Sequence, residues 1–149
     1  MVPIPPEISF DYIRDNFRPG DIIKWDDFHG AERVKDRFFI LATGSICDNI
    51  IMLNATSRIN LYESGAVREN REFFKIKKES CECLTKDTIV DISWYEEVTI
   101  EDVSKLLGLS IRRTGKISDA DIVVMFNKIK NSETMERIVI NKIIDNWPY

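Results

Sequence analysis

Histidine and cysteine are scarce in this chain: it has one histidine, His29, and three cysteines, Cys47, Cys81 and Cys83, in 149 residues. A protein metal centre normally takes about four ligands, so a site here would have to recruit all of these residues. Three thiols cannot all pair within one chain, which argues against the disulfide framework of a secreted domain. Cys81-Glu82-Cys83 places two thiols on one face of an extended segment. The three read as reduced structural thiols, and neither a metal nor any other cofactor is expected. Long hydrophobic runs are missing too: none approaches the ~20 residues that cross a bilayer. The segment from Met1 to Pro6 shows neither the basic n-region nor the apolar h-region of a signal peptide. The expectation is a cytoplasmic protein with no membrane partner.

An excess of basic residues is also absent. The formal net charge is −4, which excludes nonspecific nucleic-acid binding driven by bulk charge. The charge is uneven, however. Between Arg58 and Lys78 six basic residues stand against three acidic ones. A solvated face explains this as well as a binding groove does. What remains is ordinary for a globular protein, with 44% hydrophobic and 31% charged residues. The length suits one domain with a real core.

Residues 1–18 read as an N-terminal helical extension. Pro5-Pro6 suit a helix start, and Ile8, Tyr12 and Ile13 fall at helical spacing before Phe17. Pro19-Gly20 forces a turn. Strands are expected at Asp21–Trp25, Arg37–Ala42 and Ile50–Asn54, with a polar loop from Asp26 to Asp36 and a turn from Thr43 to Asn49. Residues 58–71 form a long connection. Further strands are expected at Glu72–Lys77 and Thr88–Ile92, and Trp94–Val98 either extends the latter or begins another. Short strands separated by turns suggest a small antiparallel barrel or sheet. The last third turns helical. Glu101–Leu107 suits a short helix, and Ser118 is a good N-cap for a stripe of Ile122, Met125, Phe126 and Ile129. Ser132 is a candidate second cap, before Met135, Ile138, Val139, Lys142 and Ile143. The fold class is α+β.

The stretch from Gly30 to Arg37 leads into Phe38-Phe39-Ile40-Leu41, and Ile50-Ile51-Met52-Leu53 ends in Asn54-Ala55-Thr56-Ser57. If these strands are neighbours, their ends bring an arginine and a threonine hydroxyl together. Arg37 offers a planar fork of donors that clamps two phosphate oxygens. Thr56 offers a hydroxyl that orients one. Metal-free cleavage of a phosphodiester needs such donors, together with deprotonation of the attacking 2′-hydroxyl and protonation of the leaving oxygen. His29 is a candidate general base, though a lone loop histidine also suits plain solvation. The competing reading pairs Arg37 with Glu32 or Asp36 and gives Thr56 a turn hydrogen bond. The carboxylate neighbours Asp26-Asp27 and Glu96-Glu97 point to opposite faces of a strand and make poor metal sites.

In these motifs the chain resembles the MazF/PemK-type toxins. Gly20-Asp21-Ile22-Ile23 matches the family's opening strand. Gly30-x-Glu32 and Arg37 keep the spacing of its loop and its arginine, and Asn54-Ala55-Thr56-Ser57 stands where its Pro-x-Thr-Ser type motif ends the next strand. Leu84-Thr85-Lys86-Asp87-Thr88-Ile89-Val90 and Gly115-Lys116-Ile117-Ser118 follow in consistent order. Phe38 and Asn54 replace family prolines, and Asp91-Ile92-Ser93 stands where the plasmid-borne branch has Arg-x-Asp. The resemblance implies an SH3-like antiparallel barrel with C-terminal helices over residues 19–149, and a homodimer restrained by an antitoxin protein. It implies metal-independent cleavage of single-stranded RNA. Arg37 and Thr56 would be catalytic, and Lys35, Ser57, Arg58 and His29 would bind RNA. The rival is a catalytically silent barrel of the same fold, serving as a protein-interaction or regulatory module. A related barrel that inhibits a topoisomerase through its C-terminus is a third reading.

Overall fold

The computed structural model describes residues 5–29 and 34–149, apart from the side chains of Pro6, His29, Val34 and Lys35. In chain order the elements are α1 (Pro6–Asn16), β1 (Asp21–His29), β2 (Val34–Leu41), β3 (Asn49–Thr56), β4 (Phe73–Ile76), β5 (Thr88–Thr99), α2 (Ile100–Leu106), β6 (Ile111–Lys116), α3 (Asp119–Lys130) and α4 (Arg137–Asp145). The six strands form one antiparallel sheet in the order β4-β5-β3-β2-β1-β6. Its edges, β4 and β6, are not joined by a ladder among the described residues, so the sheet is open and a closed barrel is not formed by strand pairing. The segment after β4 does reach the far edge, where Cys81 and Cys83 Sγ lie 3.5 and 3.9 Å from the Lys116 carbonyl.

Helices cover both faces. Ile22, Ile40, Leu53, Val90 and Ile92 face Met125 and Ile129 of α3 and Ile140 and Ile143 of α4. Ile23, Phe39, Leu41 and Met52 face α1 and α2. Burial from two sides explains why β3 is a continuous apolar run rather than an alternating one, with residues 50–55 all buried. The N-terminal segment is part of this core. Its buried face is Ser9, Ile13 and Phe17, whereas Ile8, expected on the stripe, is 58% exposed. Gly44 lets the chain pass against the end of α1, since a Cβ there would lie 2.5 Å from the Phe17 carbonyl oxygen.

Several boundaries differ from the sequence reading. The expected loop from Asp26 to Asp36 is mostly strand, because β1 runs to His29 and β2 starts at Val34. A bulge absorbs Asp26 and Asp27, with Asp27 at φ 55°, and the Asp27 N–H donates to Asp36 Oδ1 at 2.9 Å. Thr88–Thr99 is one strand. Ser118 caps α3 as expected, accepting from the Asp121 N–H. Ser132 instead caps the turn before α4, accepting from the Met135 N–H, and α4 itself starts at Arg137. No helix among the described residues is long and apolar enough to cross a membrane.

Candidate functional site

The β2–β3 ladder ends at Phe38↔Ala55, although β2 continues back to Val34 and β3 onward to Thr56. Arg37 and Thr56 are the next residues past that last rung. Both line one cavity of about 210 Å³ at the splayed strand ends, together with Asp36, Ser57, Arg58 and Arg68. The two residues expected to converge thus border the same cavity.

Arg37 is held firmly. Its side chain is 5% exposed, Nη1 donates to Asn54 Oδ1 at 3.2 Å, and the guanidinium lies 4.6 Å from the Trp94 ring centroid. Thr56 is half-buried at the cavity wall. Its Oγ1 accepts from the Arg58 N–H at 3.2 Å, the turn hydrogen bond that the competing reading foresaw. A hydroxyl that accepts in this way still has its own proton to donate to a ligand oxygen. Ser57 and Arg58 are exposed on the same rim. The side chains of His29 and Lys35 lie outside the described residues, as does Glu32.

Trp94 reaches the site because of a defect in the sheet. Leu53 pairs with Tyr95 but Asn54 pairs with Asp91, so Ile92, Ser93 and Trp94 stand outside the β3–β5 pairing. A bulge of this kind re-aims a side chain. Around the Trp94 ring lie Arg37, Arg68 at 5.1 Å and Arg71 at 5.4 Å. The face of an indole attracts guanidinium groups, which offsets part of their mutual repulsion. Behind them is a buried carboxylate. Asp91 Oδ2 accepts from the Tyr62 hydroxyl at 2.6 Å and from Arg71 Nη1 at 3.0 Å, and Oδ1 accepts from the Ser93 N–H. Burial, then the Asp91 hydrogen bond and charge, push the Tyr62 hydroxyl up to about 12. Arg68 Nη1 donates to the same hydroxyl at 3.3 Å.

The arrangement is a polar cavity bordered by three arginines, two hydroxyl residues and the Asp36 carboxylate, with Trp94 against Arg37 and Arg68. No family model matches this chain, and no curated protein sequence matches it. The sequence reading missed Asn54 as a partner of Arg37, and gave Trp94, Arg68, Tyr62 and Asp91 no role in the site. One signal was available: Asp91 interrupts the apolar run Ile89-Val90-Asp91-Ile92, and a charge in a buried strand has to be paired.

Proposed function

We propose that this protein is a metal-independent endoribonuclease acting on single-stranded RNA, similar to the MazF/PemK-type toxins. The observation that carries the reading is the shared cavity of Arg37 and Thr56. In it Arg37 stabilises the charge that develops on the pentavalent phosphate and Thr56 positions the scissile phosphate. Ser57 and Arg58 hold the strand, with Arg68 as a further cation, and Lys35 is a further RNA contact on this reading. The attacking 2′-oxygen forms its bond to phosphorus as the bond to the 5′-oxygen breaks, leaving a 2′,3′-cyclic phosphate. On this reading Asp36, which lines the same cavity and whose Oδ1 accepts from the Asp27 N–H, takes the 2′-hydroxyl proton through its other oxygen, and water protonates the departing 5′-oxygen. Within this reading the open six-stranded sheet is a variant of the SH3-like barrel, and the protein works as a homodimer silenced by an antitoxin protein.

The test is incubation with a defined pool of single-stranded RNA in chelator, reading the cut ends. Specific cuts ending in cyclic phosphate are expected. Arg37→Lys keeps the charge but loses the bidentate fork. It should slow cleavage about 100- to 1,000-fold, as loss of a preorganised oxyanion donor does, with near-native circular dichroism. Equal cleavage by wild type and Arg37→Lys would remove Arg37 from the chemistry.

A specific observation favours a second reading, the catalytically silent module. Arg37 is nearly buried beneath Trp94 and fastened to Asn54, as a structural arginine would be. On that reading no RNA in the pool is cut, and Arg37→Lys lowers the melting temperature without any effect on RNA binding.

A further inference from the structure

A second cavity opens beside the anion site. It measures about 200 Å³, and its wall is largely apolar: Ile22, Phe38, Ile40, Ala55, Cys83 and Leu84. Thr85, Lys86 and Thr88 supply polar groups there. Phe38, Ala55, Thr56 and Ser57 line both this cavity and the one holding Arg37. The two meet where the β2–β3 ladder opens, because successive residues of a strand face opposite ways. Arg37 looks into the polar side, while its neighbour Phe38 borders the apolar side and is 40% exposed.

We infer that this second cavity receives an unpaired nucleobase next to the phosphate held by Arg37 and Thr56. The inference rests on the ribonuclease reading and names the part of the substrate that the apolar cavity takes. A nucleotide joins a flat, largely apolar base to a polyanionic phosphate. The two cavities offer matching surfaces on either side of a shared wall, Thr56-Ser57. The apolar cavity is smaller than the ~300–1,000 Å³ typical of sites for drug-sized ligands, which suits a single base. The exposed ring of Phe38 is a stacking surface, and proteins that grip single-stranded RNA use such rings. Lys86 carries only donors and meets the carbonyl edge of a base. Phe38 is thereby a specificity residue, in the position where the resembling family has proline.

Binding separates this inference from the cleavage reading. A short single-stranded oligonucleotide with every 2′-hydroxyl methylated cannot be cut, and its abasic counterpart keeps the same phosphates. Fluorescence anisotropy with both ligands would be measured on wild type, Phe38→Ala and Leu84→Trp, with circular dichroism confirming the fold of each. Wild type should prefer the base-bearing strand by about tenfold or more, within the range that base stacking supplies. Phe38→Ala, which loses the ring, and Leu84→Trp, which fills the cavity, should both bind the two strands alike. Equal binding of both strands by wild type overturns the inference, as does full discrimination retained in both variants. Cleavage without base discrimination defeats the inference alone. Base discrimination without cleavage of natural RNA defeats the nuclease reading alone.

Discussion

Asp91 is fully buried between Val90 and Ile92, and a carboxylate in that setting is tolerable only with donors around it. Tyr62, Arg71 and the Ser93 N–H provide them. The interruption of an apolar strand by Asp91 is visible in the sequence, but its side-chain partners Tyr62 and Arg71 come from the long 58–71 connection, which has no periodicity from which to place them. The same holds for Arg37. Its spacing from Thr56 was legible, whereas its fastening to Asn54 and Trp94 depends on a bulge that no local pattern announces. Tyr62 yields a prediction at this scale. The fold holds its phenol protonated to about 12, against an ordinary 10.0. The raised value means that the associated stability is complete below about pH 10 and is lost as pH climbs toward 12. Urea unfolding across that window should show the decline. Tyr62→Phe should flatten it and lower stability at neutral pH by about 1–2 kcal/mol, since Asp91 loses a donor. An unchanged alkaline slope in Tyr62→Phe would assign the effect to other groups.

At the level of elements, Glu72 ties the start of β4 to the connection between α3 and α4. Its carboxylate accepts from the Ser132 and Thr134 hydroxyls and from the N–H groups of Glu133 and Thr134. Burial by itself would raise its pKa, but these four donors outweigh burial and hold it below the usual carboxylate value of 4.5. A lowered value places the stability contribution above the unfolded group's pKa, and it is lost as pH falls below about 4.5 through the folded value. Melting temperature measured from neutral to acid should therefore drop in wild type more than in Glu72→Gln. At neutral pH that variant should be less stable by about 1–2 kcal/mol. A parallel pH profile for the two proteins would rule Glu72 out as the acid-sensitive group. Elements with a clear apolar signal, β2 to β5 and α3, were legible in the chain. β6 was not: of its six residues only Ile111 is buried, so no alternation marks it. In α1 the expected Ile13 and Phe17 are buried but Ile8 and Tyr12 are exposed, because the buried four-residue spacing starts at Ser9, a polar residue that gives no apolar signal.

For the whole molecule, the α+β antiparallel character was readable from short strands followed by helical stripes, but closure was not. Whether a sheet shuts depends on how its edges approach, and here β4 and β6 do not pair; the segment after β4 reaches β6 only through the Cys81 and Cys83 thiols near the Lys116 carbonyl. Charge is likewise a matter of placement. The chain carries −4 overall, yet Arg37, Arg58 and Arg68 line one cavity. On the ribonuclease reading, RNA binding should accordingly be local and salt-sensitive. If each of these arginines neutralises one phosphate, log affinity should fall against log salt with a slope of about −2, from ~0.7 per contact on single strands. Titrations at several salt concentrations would measure it. A slope near zero would mean that the arginines do not engage phosphates.

Ile92, Ser93 and Trp94 lie outside the pairing of β3 with β5. Ile92 is committed to the core, and Ser93 accepts from the Glu72 N–H. Residue 94 has neither duty. Its identity can therefore change while every rung on both sides keeps its partner. The contour facing the arginines is thus uncoupled from the alignment of the strands, and evolution or an engineer is free to rewrite the one without renegotiating the other.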